Sequence, residues 1–529
     1  MICSWWSGFL VRLVLSMMKV VAWMAVVGMP GLSLASAEES AARVQLRGEL
    51  LWGADALGGA PYVFQDPTDP NRTVGFEVEL AQAIAAKLGV RARQVQGPWD
   101  QLLSLLARGD FDVAVNGIEL TDEKKRICAF STPYFVSSER LTIRRGDDAA
   151  PRTLDALRNH AVGTLPGTLA EQILLRAGAH VKTYDGGQGE IYDDLRLRRI
   201  SAVLLDEPIA KYYGEISPDL EVLDASFGKV SYAIAVRSSD ESLLREMNRA
   251  LALLNEDGTL RAIYERFGIW NTDTAALLQD TREARIPAPA PEFQRWLDTV
   301  GALPPFWQRV RDRYPRTMVI FARAATLTLA LSIVSMLLAI PLGMGLALCR
   351  THGPRAVRIA AVSYIEVIRG TPLLVQLIVV YFGLPELGLK LDPFAAGVIA
   401  LGLNYAAAEA ENYRAGIESV PASQQDAARV LGLSKLQALR YIVGPQALRI
   451  AIPPATNDFI ALLKDSSLVS LVTLTELTKT YLTLANSTRD HLGLGLVVAV
   501  WYLLIGLPFA RLARYAELRL GSHLQRSNA

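Results

Sequence analysis

Cysteine and histidine, two residue types that act as nucleophiles or metal ligands, are few and scattered in this chain of 529 residues. Cys3, Cys128 and Cys349 lie far apart, so neither a CxxC metal site nor a disulfide framework is predicted. The five histidines show no catalytic or metal-ligand spacing, and no GxxxxGKS/T phosphate loop occurs. We therefore expect no catalytic residue, no metal, no cofactor and no enzyme activity in this chain. A formal net charge of +1 also argues against nucleic-acid binding through a broad basic surface.

A second set of residues has the composition of a docking element. Residues 424–434 read QQDAARVLGLS, and residues 444–448 read GPQAL. Small residues such as Ala427 and Ala428 let a short helix approach a partner closely, and Gly432 permits a sharp break between helices. The proline that follows is suited to start the next element.

The elements around these residues begin with a predicted export signal. Basic residues precede the apolar run of residues 20–27, Pro30 and Gly31 break that run, and residues 35–37 read ASA, an A-x-A cleavage pattern. Residues 1–37 are therefore predicted to be a signal peptide or an uncleaved N-terminal anchor. Either one exports the residues that follow.

Residues 43–270 have the pattern of a soluble α/β domain. Short apolar strands, such as residues 112–115 and 202–205, alternate with amphipathic helices, and one helix is predicted over residues 78–88 with Gly89 as its end. This alternation predicts parallel sheets, which bind ligands at the carboxyl ends of their strands.

Residues 271–317 are predicted to form a linker and a membrane approach. Residues 286–291 read IPAPAP, which is too rich in proline for a helix and predicts a stiff, extended spacer. Residues 292–313 mix the aromatic residues Trp296, Phe306 and Trp307 with charged ones, a mixture that is typical of a membrane surface.

The remaining residues, 318–520, contain five segments that are apolar enough to span a bilayer. Arginines and lysines concentrate after the first segment, between the third and the fourth, and after the fifth, and such charges mark the cytoplasmic side. Five spans that start outside must end inside, so the charges agree with an exported N-terminal domain. The predicted spans lie near residues 321–348, 358–383, 393–412, 447–473 and 492–516.

The docking element resembles the EAA loop of bacterial ABC-importer permeases, here near residues 421–448. Residues 368–377 (IRGTPLLVQL), 410–417 (AENYRAGI) and 459–470 (FIALLKDSSLVS) are similar to polar amino-acid permeases of the histidine/glutamine/arginine/opine branch. The resemblance covers residues 318–520 and implies an all-α transmembrane permease domain of about five helices.

In that family the EAA loop forms two short helices joined near a glycine and docks into a groove of a separate ATPase subunit. The resemblance therefore implies contact with an ATPase through Asp426, Ala427, Ala428 and Gly432, and a permease homodimer or a pair with a second permease. Asp426 stands where the family usually has Glu, and Gly444 replaces a usual Leu.

The α/β region, from residue 53 to residue 270, resembles the type II periplasmic binding proteins for polar amino acids. That resemblance implies two lobes that close around the ligand by a hinge motion, with crossover strands near residues 141–145 and 229–236. The matching motifs are GAPYVF (59–64), GFEVEL (75–80), WDQL (99–102), GDFD (109–112), TDE (121–123), FSTPY (130–134) and NEDGTL (255–260).

The family's ligand is a zwitterion, whose carboxylate needs a cation and N–H donors and whose ammonium needs a carboxylate. By position in the family's motifs, Asp206 in LDEP would take the ammonium, and Thr168 in GTLPGT would help to hold the carboxylate. Gly117 and Glu119 would supply further contacts.

The same resemblance assigns three more positions to the amino-acid site. Trp99 aligns with a family aromatic and could cover the apolar stem of the ligand, and Asp55 or Tyr62 could read its side chain.

Two positions depart from the binding-protein pattern. The family's carboxylate-binding arginine falls at Lys124, which supplies a charge but no bidentate fork, so either Lys124 substitutes for it, or Arg126 is recruited, or the ligand differs. Glu119 stands where the family often has Ser or Thr, and a carboxylate there favours a ligand with an extra positive group.

The sequence thus predicts a solute-binding and permease subunit of an ATP-driven importer for a polar amino acid, located in the cell membrane with its binding domain outside. The alternative is a ligand-gated channel of the glutamate-receptor type. Such channels insert their spans between the two lobes and lack an EAA loop, whereas here both lobes precede the first span.

Overall fold

The computed structural model describes residues 39–66, 69, 72–184, 187–281, 290–300 and 304–521. The predicted signal or anchor at residues 1–37 and most of the proline-rich stretch lie outside these residues. The described chain divides into two compact units, one built from residues 39–320 with 480–496 and the other from residues 321–479 with 497–521. Each unit is described by itself.

The first unit contains two five-stranded sheets, which define two lobes. The strands are β1 (Glu49–Ala54), β2 (Phe64–Gln65), β3 (Thr73–Val74), β4 (Arg91–Gln96), β5 (Val113–Ala114), β6 (Ala129–Phe130), β7 (Phe135–Arg144), β8 (Ala161–Thr164), β9 (His180–Thr183), β10 (Ala202–Asp206), β11 (Leu220–Tyr232) and β12 (Ala235–Val236).

Helices pack around these sheets in the first unit, and the second unit contains further helices. They are α1 (Glu39–Arg47), α2 (Phe76–Lys87), α3 (Leu102–Arg108), α4 (Leu169–Ala177), α5 (Gln188–Arg196), α6 (Glu207–Ile209), α7 (Glu241–Glu256), α8 (Thr259–Phe267), α9 (Thr272–Leu277), α10 (Pro291–Val300), α11 (Phe306–Asp312), α12 (Tyr314–His352), α13 (Arg355–Gly370), α14 (Leu373–Ile378), α15 (Pro393–Glu418), α16 (Ala422–Val430), α17 (Lys435–Ala438), α18 (Gly444–Asp465), α19 (Leu477–Thr488) and α20 (His491–Gly521).

The first lobe has the strand order β4-β1-β5-β12-β6. Strands β4, β1 and β5 run parallel, and β12 joins them antiparallel. The helix predicted over residues 78–88 is α2, which buries Phe76, Leu80 and Ile84 and is followed by Gly89 at a φ of +72°. Glycine adopts this left-handed backbone at little cost, so the helix ends where the sequence indicates.

The second lobe has the order β11-β7-β10-β8-β9, with β10, β8 and β9 parallel. All five residues of β10 are buried, as expected for a central strand in a parallel region. Its carboxyl end is Asp206, and the loop after the neighbouring β8 leads to Thr168 at the start of α4. The topology therefore places both predicted zwitterion contacts at the same edge of one sheet.

The chain crosses between the lobes twice. It leaves β6 for β7 through residues 131–134 and returns from β11 to β12 through residues 233–234. The second crossing lies within the predicted residues 229–236, but the prediction of the first at residues 141–145 was wrong. Strand β7 lies wholly in the second sheet because it pairs with β11 from its first residue to its last.

Part of the predicted linker, residues 271–317, is folded against the binding unit. The side chain of Trp296 in α10 is 1% exposed, packs edge-on against Phe64, and donates a hydrogen bond from its Nε1 to the carbonyl oxygen of Tyr212 at 2.8 Å. The segment predicted to lie at a membrane surface, residues 292–313, thus includes one aromatic ring that packs in the protein core, and the membrane location of the segment stays a prediction. Trp307 in α11, by contrast, is exposed.

The second unit is helical. Among the described helices, two are long and apolar enough to cross a membrane, Tyr314–His352 and His491–Tyr515, and the pair Arg355–Gly370 and Leu373–Leu387, bent by 105°, makes a third if it is one span. The third and fourth predicted spans are helices α15 and α18, but they do not meet the same criterion. Charged residues occupy the carboxyl-terminal part of α15 and interrupt α18, which lowers their mean hydropathy.

Candidate solute-binding site and coupling loop

The carboxylate of Asp206 lies at the carboxyl end of β10 and is fixed by two phenols. It accepts a hydrogen bond from the Tyr232 hydroxyl at 2.9 Å and another from the Tyr62 hydroxyl. Burial raises the pKa of Asp206 to about 6, although both tyrosine hydrogen bonds stabilise the ionised form. Tyr62 belongs to the first lobe, so its contact with Asp206 crosses the cleft. The side chain is thus held ready to bind a cation, and one donor already spans the two lobes.

A second carboxylate, Glu139 on β7, lies beside it. Glu139 is directly opposite Asp206 in the antiparallel pairing of β7 with β10, is 2% exposed, and its Oε2 has no hydrogen-bond partner within the described chain. Burial, Asp206 and Glu119 all raise the pKa of Glu139 well above its usual range. Sequence reasoning missed this residue, although a glutamate in the middle of an otherwise buried strand was a usable signal.

Glu119 is the third carboxylate of the cleft. Both of its oxygens accept the N–H of Leu169, the first residue of α4, at 3.1 and 3.0 Å. The Nζ of Lys124 lies 3.8 Å from Glu119 Oε2. Burial raises the pKa of Glu119, and the charge of Lys124 partly offsets this effect. Glu119 therefore joins the loop after β5 in the first lobe to a helix N-terminus in the second.

Thr168 caps that helix. Its hydroxyl accepts the N–H of Glu171 at 3.2 Å and donates to the carbonyl oxygen of Leu165 at 2.8 Å, a conventional N-cap. The side chain is therefore committed to the helix start. What this element can offer a solute anion is the backbone N–H of the first turn together with the helix dipole.

Lys124 is the cation that the structure brings to Glu119. Its Nζ also lies 5.5 Å from the centre of the Trp99 ring, and burial lowers the pKa of Lys124. Arg126 is exposed at the end of the same short turn, Lys124–Arg126. Of the two cations that the sequence left open, Lys124 is the one that lies against Glu119. Trp99 is anchored by a bond from its Nε1 to the carbonyl oxygen of Asn116 at 2.8 Å.

Asp55 and Gly117 are occupied by their own lobe. The carboxylate of Asp55 accepts the backbone N–H groups of Leu57 and Trp99 at 2.9 and 3.1 Å and the amide of Gln96 at 2.6 Å. These bonds leave it little capacity to read a ligand side chain, so Asp55 positions Trp99 instead. Gly117 has a φ of +57°, and its N–H donates to Glu77 rather than toward the cleft.

Glu77 stabilises the loop that contains Gly117. It is fully buried and accepts the Gly117 N–H at 2.6 Å and the Tyr134 hydroxyl at 2.5 Å. Burial raises the pKa of Glu77 to about 7. The sequence showed it only as part of the GFEVEL motif, without a role.

The cleft contains more acidic than basic side chains. Three buried carboxylates, Asp206, Glu139 and Glu119, face one ammonium, that of Lys124, among the described residues. An ionised carboxylate buried without a cation is costly, which is why burial raises the pKa of each of these three groups, and a solute that brings positive charge would stabilise their ionised forms.

The docking element in the second unit consists of two helices. Helix α16 ends at Val430 and α17 begins at Lys435, with Gly432 between them at a φ of +78°. Asp426 pairs with Arg429 at 3.1 Å on the exposed face of α16. The side chains of Val430 and Leu431 are 87% and 78% exposed, which leaves an apolar surface beside the turn.

The remaining two residues of this element differ in exposure. Ala427 is exposed and Ala428 is buried, so of the two only Ala427 lies on the surface of α16. Helix α18 begins at Gly444, with Pro445 in its first turn, as the sequence indicates.

Comparisons with known proteins follow the division into two domains. Residues 55–269 match the bacterial extracellular solute-binding proteins, family 3, and residues 339–522 match the binding-protein-dependent transport system inner membrane component. The chain is 36% identical over 249 residues to the L-cystine-binding protein TcyJ of Escherichia coli (strain K12). This alignment covers 46% of this chain and 92% of the relative.

The permease part has relatives of its own. The chain is 37% identical over 193 residues to the probable glutamine ABC transporter permease protein GlnM of Bacillus subtilis (strain 168), covering 36% of this chain and 89% of the relative. It is 34% identical over 198 residues to the glutamine transport system permease protein GlnP of Escherichia coli (strain K12), covering 37% and 90%.

The fold and the site define a solute-binding domain fused to a membrane transport domain. The chain belongs to both families, and it is a combined binding and permease subunit of an ABC importer in the inner membrane. Neither family is a channel of the glutamate-receptor type, so the comparisons give that alternative no support.

Proposed function

We propose that this subunit captures a polar amino acid on the extracytoplasmic side and delivers it to its own membrane domain. One observation carries the proposal. Asp206 and the N-terminus of α4 lie at neighbouring strand ends of one lobe, so a carboxylate and a set of N–H donors are available to the two poles of a zwitterion. The relatives named for cystine and glutamine support the amino-acid class.

Within that class we propose a solute with a second positive group. Asp206 would bind the α-ammonium, and Glu139 and Glu119 would face the additional cation. The excess of carboxylates over Lys124 in the cleft supports this assignment, because a dibasic solute neutralises charges that a neutral amino acid leaves unpaired.

ATP hydrolysis would take place on a separate subunit that docks on α16 and α17. The sequence has no phosphate loop, and Asp426, Ala427, Val430 and Leu431 offer the exposed charge and apolar surface that such a partner requires. The loop and the C-terminus would then lie in the cytoplasm and the binding domain in the periplasm, which agrees with the positive charges in the sequence. The functional assembly would contain two permease subunits, identical or paired.

The test is transport by the purified full chain in proteoliposomes, with and without the ATPase that co-purifies from native membranes. We expect uptake of radiolabelled L-arginine only when the ATPase and ATP are both present. The chain alone should hydrolyse no ATP. Hydrolysis by the chain after removal of contaminants, or ATP-independent uptake, would contradict the proposal.

A further inference from the structure

Glu119 occupies a position in the cleft that favours an anion. The N–H of Leu169 belongs to the first turn of α4, where helix donors have no partner within the helix and attract negative charge. Here both oxygens of Glu119 receive that N–H, and Lys124 lies 3.8 Å away on the same carboxylate. These are the donor and the cation that a solute carboxylate would need.

The contact also joins the two lobes. Glu119 lies on the loop that follows β5 in the first sheet, and Leu169 lies on the helix that follows β8 in the second. Tyr62 and Asp206 make a second contact across the cleft, and the N–H of Ala60 in the first lobe donates to the hydroxyl of Tyr213 in the second at 3.1 Å. Side chains of the protein itself thus link the lobes at both positions where a zwitterion would bind. The Tyr62 hydroxyl does so at Asp206, and the Glu119 carboxylate does so at the N-terminus of α4.

We propose that Glu119 is a built-in competitor for the solute carboxylate, which holds the lobes together before solute binds and selects against neutral amino acids. This inference rests on the proposed amino-acid function. An incoming solute must displace Glu119 from the Leu169 N–H and from Lys124. The displaced carboxylate, next to Glu139, whose Oε2 has no hydrogen-bond partner among the described residues, then needs a positive group to stabilise its ionised form. A dibasic amino acid brings that group, whereas a neutral one leaves Glu119 desolvated and unpaired.

Calorimetry on the full chain in lipid nanodiscs tests the competition. The probes are L-arginine, L-glutamine and agmatine, which is arginine without its carboxylate. We expect Glu119→Thr to bind L-glutamine at least tenfold more tightly than the wild type, with no gain for agmatine, because agmatine has no carboxylate to compete. Glu123→Gln, which removes an exposed carboxylate four residues away, serves as the matched control. An unchanged affinity for L-glutamine, or an equal gain for agmatine, would overturn the inference.

A second measurement does not depend on the identity of the solute. Spin labels at Ser104 on α3 and Gln172 on α4, both exposed, report the distance between the lobes. Without solute, the wild type should give the shorter distance, and Glu119→Thr should shift the population to the longer one. The same distances in both proteins would refute the role of Glu119. If no probe binds either protein but Glu119→Thr opens the cleft, the proposed solute class and the competition both fail, and only the role of Glu119 in holding the lobes together stands.

Discussion

Asp206 accepts a hydrogen bond from the hydroxyl of Tyr232 at 2.9 Å. Tyr232 is the last residue of β11, immediately before the chain returns to the first lobe. The bond therefore ties the central carboxylate of the cleft to one of the two crossings about which the lobes can rotate. We therefore expect a change of charge at Asp206 to act next to the crossing that joins the lobes.

Removal of the Asp206 charge should weaken solute binding strongly. In Asp206→Asn the side chain keeps its size, but an amide pairs poorly with an ammonium, and a hydrogen bond to a charged group contributes about 1.5–3 kcal/mol. We expect the affinity for L-arginine to fall about 100-fold by calorimetry on the full chain. Asp122→Asn, at a carboxylate whose side chain is 92% exposed, is the control and should bind normally. An affinity within threefold of the wild type in Asp206→Asn would refute the assignment.

Solute binding should weaken in acid. Burial raises the pKa of Asp206 to about 6, so below that pH a proton competes with the solute ammonium. We expect the affinity to fall about tenfold for each pH unit below 6 and to be constant between pH 7 and 8.

The tyrosine bond offers a control for the origin of that pH dependence. The Tyr232 hydroxyl stabilises ionised Asp206, so Tyr232→Phe should move the midpoint of the binding profile upward, by roughly one pH unit. A midpoint that stays fixed, or moves downward, would assign the titration to another group, such as Glu119 or Glu139.

The stability of the binding domain should decrease as pH rises through the range in which Glu77 titrates. Its pKa is about 7 in the folded protein against 4.5 as the reference value, so between these values the folded state holds more protons than the unfolded state. By linkage, the free energy of unfolding then falls with rising pH, by roughly 3 kcal/mol across the window.

Glu77→Gln isolates this contribution, because a glutamine cannot titrate but can still accept the Gly117 N–H. We expect the melting temperature of the binding domain, followed by calorimetry on the full chain, to lose most of its dependence on pH between 5 and 7. A variant with the same slope as the wild type would show that other groups determine it.

Charge reversal in the coupling loop should uncouple the ATPase without affecting solute capture. Asp426→Lys removes the 3.1 Å pair with Arg429 and changes the sign of the exposed charge on α16. We expect at least a tenfold loss of ATPase activity that co-purifies with the tagged chain from native membranes, with unchanged affinity for L-arginine. Glu386→Lys, an exposed reversal elsewhere in the same unit, is the matched control. An equal loss in both variants would contradict a specific role for the loop.

The division into domains and the class of protein could be read from the sequence because they depend on local patterns. Strand and helix alternation through residues 43–270, the apolar segments after residue 318 and the QQDAARVLGLS stretch each reflect periodicity or composition within a short window. The same local signals placed Asp206 at a strand end and a helix break at Gly432.

The balance of charges in the cleft was decided only by the tertiary structure. Glu119 contacts Leu169, which lies 50 residues further along the chain, and Glu139 lies opposite Asp206 through strand pairing. Neither contact can be predicted from the residues next to it in the sequence. The structure also assigned Asp55 to its own lobe and Trp296 to the core, because hydrogen-bond capacity and buried area depend on what the fold brings near. The sequence by itself determined which kinds of side chain are available. The fold determined which of them already have a partner, and therefore which remain for a solute.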